Sequence, residues 1–123
     1  MFQGTPSPKH LSRMYYELSQ AGAHCSGEKL PWPYHPKNLE EKLVLAAEMT
    51  RHDPRLLGIL IEFFLNHWEK VSPQLIRKNY SKMETPQTMA VVAEFAKEAT
   101  NQKELTYFME YLQKGLKPVP FQL

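Results

Sequence analysis

The chain is 123 residues long, enough for one folding unit with a single buried core and no need of disulfides or metals to hold it. Apolar residues make up 42% and charged residues 23%, which excludes the low-hydrophobicity, high-charge composition of chains that stay disordered. Fifteen Lys and Arg against thirteen Asp and Glu leave a formal charge of +2, too little to imply a polyanionic partner from net charge alone.

The single cysteine, Cys25, cannot close an intrachain disulfide. A secreted domain this small is more often cross-linked, so a reducing, cytoplasmic setting is expected. The opening residues, Met1-Phe2-Gln3-Gly4-Thr5-Pro6, lack the basic flank and apolar stretch of a signal peptide. The most apolar run, Leu56 to Leu65, contains Glu62 and falls far short of the roughly 20 residues needed to cross a bilayer. No membrane association is expected.

In chain order, Ser7-Pro8 is the first helix signal: the serine oxygen can accept from a free backbone N–H, and proline at the first helical position loses no bond. It predicts a helix over 8–21, with Leu11, Met14, Tyr15 and Leu18 on one face and Gly22 at its end. A proline-rich loop follows over 22–37. In its stretch Leu30-Pro31-Trp32-Pro33-Tyr34-His35-Pro36 the prolines forbid a helix and stiffen the backbone in an extended form. Trp32 and Tyr34 either anchor this loop on the helices or present a platform to a partner.

Asn38 opens a second helix over 39–51, with Glu40 and Glu41 placed against the positive end of the helix dipole. Asp53-Pro54 opens a third over 54–70. Its apolar residues cover most of its circumference, leaving a narrow stripe of Arg55, Gly58, Glu62, Asn66 and Glu69. A helix of that kind is expected at the centre of its domain, with the others around it. Ser72-Pro73 predicts a fourth over 73–82, bearing Arg77, Lys78 and Lys82. Thr85-Pro86 predicts a fifth over 86–99, and Thr100 or Asn101 a sixth over 102–114, closed by Gly115. Residues 1–7 and 116–123 read as extended tails. In the second, Val119, Phe121 and Leu123 are spaced two apart, so that in an extended chain they point the same way.

Asp53-Pro54 to Phe63 lies over Thr85-Pro86 to Phe95 with proline, glutamate and phenylalanine in register. This spacing admits two tandem helix pairs of the solenoid kind. Two proline-capped amphipathic helices also match by chance, and the second members of the pairs align poorly.

Catalytic signals are weak. The histidines lack paired four-residue spacing, and there is no Cys-x-x-Cys, so no metal site is read. Cys25 beside His24 or near His35 is a dyad by proximity in sequence only, and the scattered glycines form no phosphate-binding loop. No cofactor is implied. The expected architecture is therefore an all-α bundle of about six helices forming a single domain over 1–123. The expected function is that of a protein–protein interaction or scaffold module without catalytic activity, binding a protein partner or a second copy through Trp32, Tyr34, Arg77, Lys78, Lys82, Val119 and Phe121. Two alternatives belong to other classes: a nucleic-acid-binding domain using the basic fourth helix, and a small enzyme collecting Glu62 with His67, His52 or His35 in a pocket.

Overall fold

Among the described residues, three of the six helices begin where a side chain supplies an acceptor for a free backbone N–H group. The computed structural model describes residues 4–119. Helix α1 (Pro8–Gln20) opens on a reciprocal pair: Ser7 Oγ accepts from the His10 N–H, and His10 Nδ1 accepts from the Ser7 N–H, both at 3.2 Å. Asn38 Oδ1 accepts from the Glu41 N–H at 2.8 Å to open α2 (Leu39–Met49), and Ser72 opens α4 (Pro73–Lys78) in the same way. Helices α3 (Arg55–His67) and α5 (Gln87–Ala99) start after Pro54 and Pro86, and α6 (Lys103–Gln113) completes the set. Gly22, at φ 115°, ends α1 in the left-handed conformation that glycine adopts without strain. Among the described residues the architecture is all-helical, a bundle of these six helices with 3-10 turns at Trp68–Lys70 and Tyr80–Lys82. No described helix is long and apolar enough to cross a membrane.

The centre of the bundle is α2, not α3. Every residue from Leu43 to Met49 is buried, and α2 meets α1, α3, α4 and α5. Helix α3 buries Leu56, Leu60, Phe63 and Phe64, while Leu57, Ile59, Ile61 and Leu65 are half-buried. Its all-round apolarity pointed to the centre, whereas two glutamates disguised α2. Both are buried because they hold other elements: Glu40 accepts from the Ser72 N–H at 2.8 Å. Glu48, with no solvent exposure, accepts from the N–H groups of Glu84 and Thr85, each at 3.0 Å, and from the Thr85 hydroxyl at 3.2 Å. Two turns apart on one face, these carboxylates fix the approaches to α4 and α5. Thr85, read from sequence as a cap, donates its hydroxyl to Glu48 instead.

Helices α3 and α5 share length and start, 32 residues apart, but their buried faces differ. Phe63 is 1% exposed and its counterpart Phe95 is 39% exposed. The equivalent pairing helices, α4 and α6, have 6 and 11 residues. The common start reflects a shared proline-capped pattern; the packing does not repeat.

The loop after α1 folds back along it. Cys25 Sγ donates to the Tyr15 carbonyl at 3.3 Å, the Glu28 N–H donates to Ser12 Oγ at 3.1 Å, and an Arg13 Nη donates to the Leu30 carbonyl at 2.6 Å. At Gly27 a Cβ would stand 2.1 Å from the Ser12 carbonyl oxygen and 2.6 Å from the Tyr16 nitrogen, so only glycine permits this close approach.

Candidate partner-binding site

Trp32 and Tyr34 are half-buried and pack against the core. The Arg13 guanidinium lies 5.1 Å from the Trp32 ring centroid, the two aromatic rings meet edge-on at 5.4 Å, and Tyr34 meets His10 edge-on at 5.5 Å. Arg13 itself is held by Glu17, which also takes Lys42 Nζ at 2.9 Å. Burial alone would raise the Glu17 carboxyl, but hydrogen bonds from Arg13 and Lys42 outweigh it and hold the group below its ordinary range. The loop is thus anchored through its aromatic residues while its outer edge stays accessible: Pro33 and His35 are exposed.

That edge forms one wall of an open cleft of about 540 Å³. Pro33, Tyr34 and Pro36 line it on the loop side, Leu45 of α2 forms its inner part, and Asn79 and Lys82 close it from the fourth-helix segment. Asn79 is buried and donates from Nδ2 to the Leu75 carbonyl at 2.9 Å, so this wall is fixed as well. The volume lies within the roughly 300–1,000 Å³ typical of ligand clefts. The structure therefore brings Tyr34 and Lys82 to one cleft, a pairing that their 48-place separation in sequence concealed. Sequence reasoning weighed His35 only for catalysis and did not link Leu45 or Asn79 to the loop; the run His35-Pro36-Lys37 was the local sign that the loop carries polar groups at its edge.

The remaining residues singled out from the sequence are dispersed. Arg77 caps α6: one Nη donates to the carbonyls of Tyr111, Leu112 and Lys114 at 2.9, 3.4 and 2.6 Å. Its guanidinium sits 5.3 and 5.2 Å from the rings of Tyr80 and Tyr111, so it is engaged within the bundle instead of being offered to phosphates. Lys78 is exposed. Val119 lies in a separate small cleft with Glu94 and Gln113. There the tail is held by a two-point amide contact, Gln87 Nε2 donating to the Lys117 carbonyl at 2.7 Å and the Lys117 N–H donating to Gln87 Oε1 at 3.2 Å. Phe121 lies outside the described residues.

Among the described residues, the acid–base candidates do not come together in any of the clefts described above. Glu62 pairs with exposed His24 at 2.7 Å, and His67 Nε2 lies 3.1 Å from the Gly22 carbonyl, a bond that requires its proton on that nitrogen. Glu94 accepts from Gln113 Nε2 at 2.8 Å. Burial, followed by the Glu62 charge, pushes the Cys25 thiol above its ordinary pKa, which disfavours the thiolate a nucleophile requires. Among the described residues no three of His, Cys, Asp and Glu converge to hold a metal ion. Another perturbed group is Tyr15, whose hydroxyl donates to Asp53 Oδ2 at 2.6 Å. Burial and then that carboxylate push the phenol up to about 12. Asp53, where burial works the other way, is held below its ordinary range by the bonds from Tyr15 and Arg55. This cluster ties α1 to the start of α3.

No protein-family model, curated protein sequence or solved structure matches the chain.

Proposed function

We propose that this chain is a protein–protein interaction module and that its docking surface is the cleft between the proline-rich loop and the fourth-helix segment. The observation that carries this reading is the rigidity of both walls. The loop wall is fixed through Arg13, Trp32 and Tyr34, the opposite wall through Asn79, and an apolar floor at Leu45 lies between them. A surface held in its binding shape before the partner arrives avoids the ordering cost that weakens flexible sites. Tyr, Trp and Arg are the residue types that most often dominate binding energy at such surfaces. The nucleic-acid alternative is less supported, because Arg77 would first have to leave the α6 carbonyls.

The test is photo-crosslinking in native extract, with a benzophenone amino acid replacing His35 at the cleft or, separately, Asn101 in the α5–α6 connection. A discrete protein adduct from position 35 and none from position 101 is the expected result. Equal labelling from both positions, or none from either, refutes this reading.

A further inference from the structure

The cleft is the largest of three that share residues and run around the loop tip. A second, of about 460 Å³, shares Tyr34, His35 and Pro36 with it. A third, of about 390 Å³, shares Pro36 and Lys37 with the second and reaches the start of α2. Their shared residues, within Tyr34 to Lys37, set the three side by side around the loop tip as a belt.

The charges on this belt are unequal. Its cations are Arg13, Lys37, Lys42, Lys70 and Lys82, and its carboxylates are Glu17 and Glu41. Five against two is a surplus of three positive charges, larger than the +2 of the whole chain, so the rest of the molecule is slightly acidic. Both carboxylates are already engaged: Glu17 by Arg13 and Lys42, and Glu41 by the Lys37 backbone N–H at 3.1 Å. Lys37 and Lys70 are exposed and form no ion pair with any described residue. The apolar part of the belt is concentrated at Pro33, Tyr34 and Leu45.

From this arrangement we infer that the partner segment is an extended acidic peptide, with one apolar side chain seated on Pro33, Tyr34 and Leu45 and carboxylates reaching Lys37 and Lys70. The inference rests on the interaction reading above and names the chemistry of its partner. An extended strand suits a belt that turns around a loop, since its alternate side chains can enter successive clefts. Carboxylates complement the surplus charge and steer encounter. A single-stranded nucleic acid would also meet positive charge, but it binds largely by stacking bases on open rings. Here Arg13 covers one face of Trp32, and the Tyr34 ring is engaged edge-on by Trp32 and His10.

The probe is a fluorescein-labelled peptide of about ten residues, Glu and Asp around a central Leu, followed by anisotropy at low salt. A Lys-based peptide of equal length and an oligothymidylate of similar length serve as comparisons. The expected result is saturable binding of the acidic peptide, no binding of the basic one, and weakening as salt is raised. Charge reversal in the Lys37→Glu/Lys70→Glu protein is expected to weaken binding at least about fivefold. Reversal at Lys103→Glu/Lys114→Glu, outside the belt, is expected to change it less than about twofold. Circular dichroism confirms that each variant folds. Absence of acidic-peptide binding, or equal loss from the two double variants, overturns the inference. Tighter binding of the oligothymidylate with the same dependence on Lys37 and Lys70 also overturns it and assigns the belt to nucleic acid. If position 35 crosslinks a protein while the acidic peptide fails to bind, only the partner chemistry falls; if position 35 yields no adduct, the interaction reading falls with it.

Discussion

Replacing Glu48 tests whether α2 organises the bundle. Its carboxylate has no solvent exposure and accepts three hydrogen bonds, two from backbone N–H groups and one from a hydroxyl. Hydrogen bonds to a charged group contribute about 1.5–3 kcal/mol each, so three at the lower end amount to about 4.5 kcal/mol. Two effects reduce that figure in Glu48→Ala. Glu84 is exposed and Thr85 half-buried, so water can reach some of the freed donors, and a carboxylate no longer has to be desolvated. The expected net loss is about 2–4 kcal/mol. Glu48→Gln keeps one acceptor oxygen but turns an NH2 group toward a donor, for an expected loss of about 1–2.5 kcal/mol. Urea unfolding followed by circular dichroism gives both values, and amide hydrogen exchange at Glu84 and Thr85 locates the effect. A loss below about 1 kcal/mol for the alanine variant, with these two amides protected as before, would refute the reasoning and mean that the approach to α5 is held by something other than α2.

Other expectations follow from the same packing. Phe63→Ala should cost about 3–5 kcal/mol in denaturant, because the ring is 1% exposed and meets Phe64 and His67; a shift below about 1 kcal/mol would place that face outside the core. Arg77→Lys should speed amide exchange in the last turn of α6 and cost about 1–2 kcal/mol, since the planar guanidinium lies against the Tyr80 and Tyr111 rings while one of its nitrogens reaches the three carbonyls, a placement a compact ammonium does not reproduce; unchanged exchange would remove its capping role. The folded-state pKa values of Glu17 and Asp53 are depressed, so their contribution is fully present above their unfolded values near 4 and is lost as pH falls through the lower folded values. Tyr15 has a raised value, about 12, so its contribution is present below about 10 and is lost as pH rises toward 12; burial raises Tyr80 as well, so Tyr15→Phe should reduce the alkaline loss and leave part of it, and a variant with the same alkaline profile would contradict it. Deleting residues 116–123 removes the Gln87 contact with Lys117 and should lower stability without changing the mass seen by sedimentation; a fall in mass would instead show the tail joining two copies.

Local chemistry explains why the helices were legible. Ser7, Asn38 and Ser72 each accept from an N–H three residues on, an interaction contained within four consecutive residues. Gly22 and Gly115 take the positive φ expected beyond a helix end. The site was only half legible. Trp32 and Tyr34 stood out by composition, whereas the opposite wall, at Asn79 and Lys82, carries no sequence mark linking it to the loop.

What the sequence determined alone was therefore the set of helices and their boundaries to within a few residues, because caps, prolines and apolar spacing act over one or two turns. The tertiary structure decided which helix is central, and it did so through two charged residues. Glu40 and Glu48 carry charge into the interior, and Ser72, Glu84 and Thr85 arrive from distant parts of the chain to satisfy them. It also decided the fate of Arg77, whose charge looks available in sequence and is engaged by the carbonyls of α6 in space. A buried charge is tolerable only with its partners in place, and partners more than thirty residues away cannot be read from a local pattern.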